Sequence, residues 1–171
     1  MVTNFKQSLT KITTLIFDID GVLTNNTVFV TEQGEMLRNL HSKDGYALQL
    51  AIKKGYKIVI ISGGNNEPIK KVLTRAKIPF IFINIHDKLQ CYKDLINEHS
   101  LKDEEVMYMG DDLPDWEVMK RVGVAACPND AATEVKDICI YISDKKGGEG
   151  CVRDIIEQIM RVQGKWEIAN W

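Results

Sequence analysis

The chain lacks long apolar runs and any strong excess of charge. None of its apolar stretches approaches the ~20 residues that a membrane-spanning helix needs, and the segment after Met1 lacks the apolar core of a signal peptide. Its 22 basic and 24 acidic residues leave a net charge of −2, which argues against binding nucleic acid through a basic surface. We therefore expect a cytoplasmic protein that binds neither membranes nor nucleic acids.

Cysteine is scarce, and the four cysteines that are present form no Cys-x-x-Cys pair. Their spacing favours buried or unreactive thiols over a metal site or disulfides. The chain also lacks internal repeats, low-complexity stretches and interdomain linkers. A length of 171 residues with 44% hydrophobic residues then predicts one globular domain over residues 1–171 with a core of its own.

Apolar runs typical of buried strands alternate with segments that carry apolar residues at helical spacing. The predicted strands are Ile12–Phe17, Lys57–Ile61, Phe80–Ile83, Val106–Met109 and Ile138–Ile142. The predicted helices are Tyr46–Lys54, Asn66–Ala76, Lys88–Glu98, Asp115–Val122 and Cys151–Gln163. Because the strand runs are continuously apolar, they fit strands buried on both faces. The sequence therefore predicts an α/β fold, with a parallel sheet covered by helices on both faces.

One segment, residues 25–41, breaks this alternation and predicts a small β-hairpin insert. A two-stranded hairpin is marginally stable alone, so its apolar side chains must pack on something. They could bury against their own core or between copies of the chain, and we expect the second, a homo-oligomer with closed symmetry. Trp166 and Trp171, near the end of the chain, pack on their own domain or reach a neighbouring subunit.

Asp18 and Asp20 follow the first predicted strand. Two carboxylates two residues apart at the end of a strand point the same way. Such a pair can serve as nucleophile and proton donor, and can hold a divalent cation. Gly21 lets the chain turn sharply after the pair. Taken alone, the pattern also fits a solvated turn between a strand and a loop.

Polar groups follow each of the next three predicted strands. Ser62 and Gly63 come after the second, Lys88 lies in the loop after the third, and Asp111 with its neighbours follows the fourth. Taken one at a time, Ser62 and Gly63 could belong to an ordinary loop, and Lys88 could be a solvated lysine. The acids around Asp111 could be the acidic residues that a helix N-terminus favours. Because ligands of open parallel sheets bind at the carboxyl ends of the strands, we expect all of these groups to meet at one edge.

Together these groups fit phosphoryl transfer, which needs a nucleophile, charge neutralisation and positioned donors. Asp18 can attack phosphorus to form an aspartyl-phosphate, and Asp20 can protonate the leaving oxygen and then activate a water. The hydroxyl of Ser62 and the N–H of Gly63 can bind phosphoryl oxygens, and Lys88 supplies a positive charge.

The acidic motif after the fourth strand completes this chemistry. Asp111 can complete an oxygen-only site that suits Mg²⁺. Asp112 and Asp115 can orient the metal-bound waters or Lys88 from a second layer.

Four motifs together resemble the haloacid dehalogenase superfamily of Mg²⁺-dependent phosphatases. They are Asp18-x-Asp20-Gly21-Val22-x-Thr24, Ser62-Gly63, Lys88 and Gly110-Asp111-Asp112-x-x-Asp115. The resemblance implies a Rossmann-like fold, with Asp18 as nucleophile and Asp20 as general acid and base. It also implies that the Asp18 carboxylate, the Asp20 backbone carbonyl and Asp111 hold the Mg²⁺. Many members carry a large cap domain, but only the hairpin and one helix fit between Asp20 and Ser62.

Within that superfamily, the chain is similar to the 3-deoxy-D-manno-octulosonate 8-phosphate phosphatases. The similarity rests on Gly110–Met119, Lys43-Asp44-Gly45-Tyr46, Asp87-Lys88-Leu89 and Gly147-Gly148-x-Gly150-x-Val152-Arg153. It implies that the substrate is an eight-carbon sugar-acid phosphate, whose sugar acid is used to make lipopolysaccharide. It also implies a homotetramer joined through its hairpins. It further implies substrate contacts at Asp20, Ser62, Gly63 and Lys88, and at His41, Ser42, Lys43, Asp44 and Gly45.

Three arginines of those phosphatases are replaced here, at Gln49, Gly64 and near Val72. Because a guanidinium is the natural partner of a carboxylate, phosphates of nine-carbon sugar acids stay open as alternative substrates. A response-regulator-like phosphoacceptor domain is a further alternative. Such domains place the phosphorylated aspartate after the third strand, where this chain has Asn84.

Overall fold

A computed structural model describes residues 5–167. Its helices are α1 (Phe5–Leu9), α2 (Ser42–Lys53), α3 (Glu67–Arg75), α4 (Lys88–Glu98), α5 (Leu113–Met119), α6 (Thr133–Ile138) and α7 (Cys151–Val162). Its strands are β1 (Thr14–Phe17), β2 (Phe29–Val30), β3 (Met36–Leu37), β4 (Lys57–Ile61), β5 (Phe80–Phe82), β6 (Val106–Met109), β7 (Val124–Cys127) and β8 (Tyr141–Ile142).

Six of the strands form one parallel sheet in the order β5-β4-β1-β6-β7-β8. β1 lies near the centre of the sheet, and β4 and β5 follow on one side of it. The chain then crosses to the other side, where β6 pairs with β1. This is the Rossmann-like strand order, and the gap between the ends of β1 and β6 is its switch point. The predicted α/β fold is confirmed.

Alternate residues of the central strand face opposite layers of helices. Leu15 and Phe17 pack in a core with α1, α2, α3 and α7, whereas Ile16 packs in a second core with α4, α5 and α6. All four residues of β1 are buried as a result, which explains why the strand runs are apolar throughout.

The helices and strands predicted from the sequence differ from the structure mainly after β6. The structure contains strand β7 and helices α6 and α1, none of which the sequence predicts. The predicted strand Ile138–Ile142 is wrong in its first half, because Ile138 ends α6 and only Tyr141 and Ile142 pair with β7. The run Val124–Cys127 contains two alanines, so its strand signal is weak.

The predicted hairpin is present as the antiparallel pair β2–β3, with Phe29 opposite Leu37 and Val30 opposite Met36. Only this hairpin, α2 and β4 separate the turn after β1 from Ser62, so no large cap domain lies in this interval. None of the described helices is long and apolar enough to cross a membrane. Trp166 packs at the edge of the core, and Trp171 lies outside the described residues.

Candidate active site

The polar groups predicted to meet at the carboxyl edge of the sheet line one cavity of about 200 Å³. The cavity wall is formed by Asp18, Asp20, Asn26, Ser62, Gly63, Gly64, Lys88, Asp111, Asp112, Pro114 and Asp115. The structure thus brings together every residue to which the sequence analysis gave a catalytic or metal-binding role. It also adds Asn26, which the sequence analysis did not identify.

A sharp turn over Ile19–Leu23 follows β1 and sets the direction of the first two acids. Gly21 adopts a φ of +82°, a conformation that favours glycine. A Cβ atom at this position would also overlap the carboxylate of Asp111. Gly21 therefore serves two purposes, since it permits the turn and leaves room for Asp111 to approach Asp18 and Asp20.

The glycine-rich connector of residues 145–150 packs against this turn. The N–H of Gly148 donates to the carbonyl oxygen of Val22 at 2.9 Å. A Cβ on Gly147 would overlap the carbonyl oxygen of Gly21, and a Cβ on Gly148 would overlap the backbone at Asn25. The connector therefore needs glycine at both positions to support the turn at this distance.

Asp18 is buried against Lys88. Its Oδ1 accepts a hydrogen bond from the N–H of Ile19 at 2.6 Å, and its Oδ2 lies 2.8 Å from Nζ of Lys88. Burial, followed by the charge of Asp115, raises the pKa of Asp18 to about 8, and Lys88 opposes this shift only in part. A protonated carboxyl is a poor nucleophile, so the site needs a further positive charge to keep Asp18 ionised at neutral pH.

Asp115 holds Lys88 in place. Its Oδ1 accepts hydrogen bonds from Nζ of Lys88 at 2.7 Å and from the hydroxyl of Tyr108 at 2.6 Å, and its Oδ2 accepts one from the N–H of Asp111 at 3.3 Å. Burial alone would lower the pKa of Lys88, but the carboxylates of Asp18 and Asp115 outweigh it and raise that pKa. Lys88 therefore stays charged between two acids.

Carboxylate oxygens of Asp18, Asp111 and Asp115 lie within 4.8 Å of one another. Both oxygens of Asp115 accept hydrogen bonds, which hold Lys88, Tyr108 and the N–H of Asp111 in place. Burial is the main cause that raises the pKa of Asp111 to about 6, while a hydrogen bond from Asn26 at 2.9 Å opposes it. Close acids with oxygen donors only fit a hard divalent cation such as Mg²⁺, which would favour their ionised forms.

Asp20 is held by a residue of the hairpin. Nε and Nη2 of Arg38, just after β3, donate to Oδ1 and Oδ2 of Asp20 at 2.6 and 3.3 Å. Asn66 donates to Oδ2 at 3.2 Å, and the hydroxyl of Thr24 donates to Oδ1 at 3.3 Å. The insert thus brings a guanidinium to the predicted acid and base, a role that the sequence analysis did not assign to it.

Ser62, at the end of the buried strand β4, is 1% exposed. Its Oγ accepts hydrogen bonds from Asn66 at 3.2 Å and from the N–H of Gly64 at 3.4 Å. Gly63 lines the same cavity, whereas Asp112 is exposed and its side chain makes no capping bond to α5. The charge of Asp112 contributes to the raised pKa of Asp111, after burial and the charge of Asp115.

The predicted substrate contacts at His41, Ser42, Lys43, Asp44 and Gly45 do not line this cavity within one chain. They lie at the start of α2, where Ser42 and Lys43 face a separate open cavity of about 380 Å³. Asp44 is 1% exposed, and its Oδ1 accepts a hydrogen bond from the N–H of Arg153 at 2.7 Å. Burial raises the pKa of Asp44, and in this chain its visible contacts join α2 to α7.

Comparisons with known proteins agree with this geometry. A family model for haloacid dehalogenase-like hydrolase matches residues 75–155. The 3-deoxy-D-manno-octulosonate 8-phosphate phosphatase KdsC of Escherichia coli K12 is 30% identical over 156 residues, which cover 91% of this chain and 83% of that protein.

Solved structures share the fold. The phosphatase of the same type from Yersinia pestis superposes with a TM-score of 0.91 at 31% identity, covering 94% of this chain and 86% of that one. A Haemophilus influenzae phosphatase of this type, solved in its cobalt-bound form, gives a TM-score of 0.88 at 26% identity, with 93% of each chain covered. The chain therefore belongs to the 3-deoxy-D-manno-octulosonate 8-phosphate phosphatase family of the haloacid dehalogenase superfamily, and it is a phosphomonoester hydrolase.

Proposed function

We propose that this hydrolase is an Mg²⁺-dependent phosphatase of a sugar-acid phosphate, and that it converts 3-deoxy-D-manno-octulosonate 8-phosphate to the free sugar acid and phosphate. One observation carries the proposal. Lys88 bridges Asp18 and Asp115 inside the cavity that Ser62 and Asp111 also line, which is an arrangement suited to a phosphoryl group.

Asp18 is the nucleophile of this reaction. Its carboxylate attacks phosphorus, the bond to the leaving oxygen breaks, and an aspartyl-phosphate forms on Asp18. The hydroxyl of Ser62, the N–H of Gly63 and Nζ of Lys88 bind the phosphoryl oxygens. The carboxylates of Asp18 and Asp111 and the backbone carbonyl of Asp20 would hold Mg²⁺, which would supply charge neutralisation.

Asp20 is the acid and base of this reaction. It gives its proton to the leaving oxygen in the first step. In the second step it removes a proton from the water that attacks phosphorus, the bond between phosphorus and Asp18 breaks, and phosphate leaves. Arg38, Asn66 and Thr24 orient its carboxylate. Asp112 and Asp115 act from the second layer, Asp115 by fixing Lys88 and Asp112 through its charge.

The hairpin supports a homo-oligomer, which we propose is a tetramer. Phe29, Val30 and Met36 are 60%, 69% and 59% exposed, so β2 and β3 present apolar side chains to solvent in a single chain. Packing between chains would cover them, and it would let His41–Gly45 of one subunit approach the cavity of another.

Light scattering of the wild type should give a mass above that of a monomer, and Val30→Asp should lower that mass. A monomeric wild type would refute the assembly.

A substrate screen tests the proposed function. Phosphate release is measured for 3-deoxy-D-manno-octulosonate 8-phosphate, for nine-carbon sugar-acid 9-phosphates and for 4-nitrophenyl phosphate, each with Mg²⁺ and with excess chelator. We expect the highest kcat/KM for the eight-carbon compound and no turnover with chelator. A higher value for a nine-carbon compound would change the substrate and keep the chemistry. Phosphorylation of the protein without repeated turnover would instead indicate a phosphoacceptor domain.

A further inference from the structure

Tyr108 carries a hydroxyl group into an apolar layer of the protein. Its neighbours in β6, Met107 and Met109, pack in the core that contains Phe17, whereas Tyr108 packs in the second core and is fully buried. A phenylalanine ring would fill the same space, and a buried hydroxyl is costly unless it forms a hydrogen bond. Packing therefore explains the aromatic ring of Tyr108 but not its hydroxyl.

The hydroxyl of Tyr108 is directed at Asp115. It donates a hydrogen bond of 2.6 Å to Oδ1 of Asp115, the oxygen that also accepts one from Nζ of Lys88 at 2.7 Å. Burial, followed by the charge of Asp115, raises the pKa of Tyr108 well above its usual range, so the hydroxyl keeps its proton and acts as the donor. Because Asp115 is 1% exposed, its carboxylate depends on such donors rather than on water. Tyr108 therefore holds the oxygen that Lys88 binds.

The position of Asp115 affects where Lys88 directs its remaining N–H group. An ammonium group has three N–H donors. Nζ of Lys88 lies 2.8 Å from Oδ2 of Asp18 and 2.7 Å from Oδ1 of Asp115, which leaves one donor for a phosphoryl oxygen in the cavity. The N–H of Ile19 holds the carboxylate of Asp18 at 2.6 Å. Tyr108 gives the corresponding support to the carboxylate of Asp115.

We propose that Tyr108 is a positioning residue for phosphoryl transfer, which acts through Asp115 to fix the direction in which Lys88 donates to the phosphoryl group. This inference rests on the proposed function, because it uses the contact between Lys88 and the phosphoryl oxygens. Tyr108 itself does not touch the substrate. Loss of its hydroxyl slows the hydrolysis of different phosphate esters by a similar factor, because the phosphoryl group is common to all of them.

The test compares Tyr108→Phe with Tyr92→Phe, because the chain has a closely similar hydrogen bond away from the active site. Tyr92 is also fully buried in the second core, and its hydroxyl donates to Oδ1 of Asp103 at 2.6 Å. Neither Tyr92 nor Asp103 lines the active-site cavity. Each substitution removes one hydrogen bond to a carboxylate and keeps the ring, so each should lower Tm by no more than about 12 °C.

The two variants should differ in phosphate release. In Tyr108→Phe, kcat/KM should fall by about tenfold to a hundredfold, and by a similar factor for 3-deoxy-D-manno-octulosonate 8-phosphate and for 4-nitrophenyl phosphate. In Tyr92→Phe, kcat/KM should stay within about twofold of the wild type. An equal effect of the two substitutions, or a fall confined to one ester, would overturn the inference.

A double variant separates positioning from a general loss of structure. If Tyr108 acts through Lys88, adding Tyr108→Phe to Lys88→Met should lower kcat/KM by less than about threefold. A fall of tenfold or more in that background would overturn the inference.

Orthovanadate, which resembles the phosphoryl group in the transition state, gives a second measurement if the double variant is inactive. Its affinity in Mg²⁺, measured by calorimetry, should fall in Tyr108→Phe by about the factor lost in kcat/KM, and should stay within about twofold in Tyr92→Phe. An unchanged affinity in Tyr108→Phe would contradict the positioning role. A wild type that hydrolyses neither ester refutes the proposed function itself, before any variant is made.

Discussion

Lys88→Met tests how the active site is held together. Nζ of Lys88 lies 2.8 Å from Asp18 and 2.7 Å from Asp115, and the side chain is 4% exposed. Methionine has a similar length, so the change removes the charge and leaves most of the packing. The buried carboxylate of Asp115 then loses its cation, and removing one partner of a buried ion pair costs about 3–5 kcal/mol.

The expected loss can be measured as a change in Tm. For a chain of this size, 1 kcal/mol corresponds to about 2–4 °C, so Tm of metal-free Lys88→Met should fall by about 6–20 °C. Mg²⁺ should restore part of this loss, because it places a positive charge beside Asp18, one of the two acids that lose the lysine. Phosphate release should fall by about 10²–10³-fold, the effect of removing one donor to a transition-state oxyanion.

Lys93→Met is the control, because Lys93 lies on the same helix and no ion pair joins it to a buried acid within residues 5–167. Its free energy of unfolding should change by less than about 0.5 kcal/mol. A free energy of unfolding for Lys88→Met within about 1 kcal/mol of the wild type, measured by denaturant titration without metal, would contradict the ion-pair argument.

Four further predictions follow from the same geometry. Asp18→Asn should abolish turnover while the far-ultraviolet circular dichroism stays that of the wild type; residual turnover would exclude the covalent step. Because the folded-state pKa of Asp18 is raised from 3.8 to about 8, mainly by burial, the folded protein retains a proton that the unfolded chain releases between these values. The titration of Asp18 should therefore lower the free energy of unfolding of the metal-free protein as pH rises from about 4 to 8. The effect should be smaller in Mg²⁺, and denaturant titrations at several pH values would measure it. Asn26→Ala, which frees Oδ2 of Asp111, should weaken Mg²⁺ affinity by about tenfold in a calorimetric titration. Arg38→Met should lower kcat on 4-nitrophenyl phosphate by about tenfold with little change in Tm, because the pair with Asp20 is partly exposed, and Arg38→Lys should recover part of the loss.

The sheet and its polar edge could be predicted from sequence because both depend on local patterns. Continuous apolar runs identify strands that are buried on two faces, and the residues after each run must then lie at the same edge. This reasoning brings Asp18, Ser62, Lys88 and Asp111 together before any coordinates are known. The structure places these four residues around one cavity.

The residues that surround this centre could not be predicted in the same way. Arg38 reaches Asp20 only because the hairpin folds back over the sheet edge, and the sequence does not give the angle of that fold. Asn26 and Asn66 look like ordinary loop and helix-start residues, and only their three-dimensional contacts with Asp111 and Asp20 set them apart.

Residues 41–45, where substrate contacts are expected, do not line the cavity within one chain, and the reason is related. His41 precedes α2, and Ser42–Gly45 form its first turn, so these residues belong to the start of a helix rather than to a loop beside Asp18. A contact that depends on a second chain leaves no periodic pattern in the sequence of the first.

The packing of the glycine-rich connector against the turn after β1 has a consequence for synthesis of the protein. Ribosomes make the chain from its N-terminus, so the nucleophile emerges long before the segment that fixes its turn. The carbonyl oxygen of Val22 receives hydrogen bonds from Gly148 and from the thiol of Cys151, which lies 129 residues later in the chain. A nascent chain should therefore be unable to hydrolyse cellular phosphate esters until residues 148–151 have been translated.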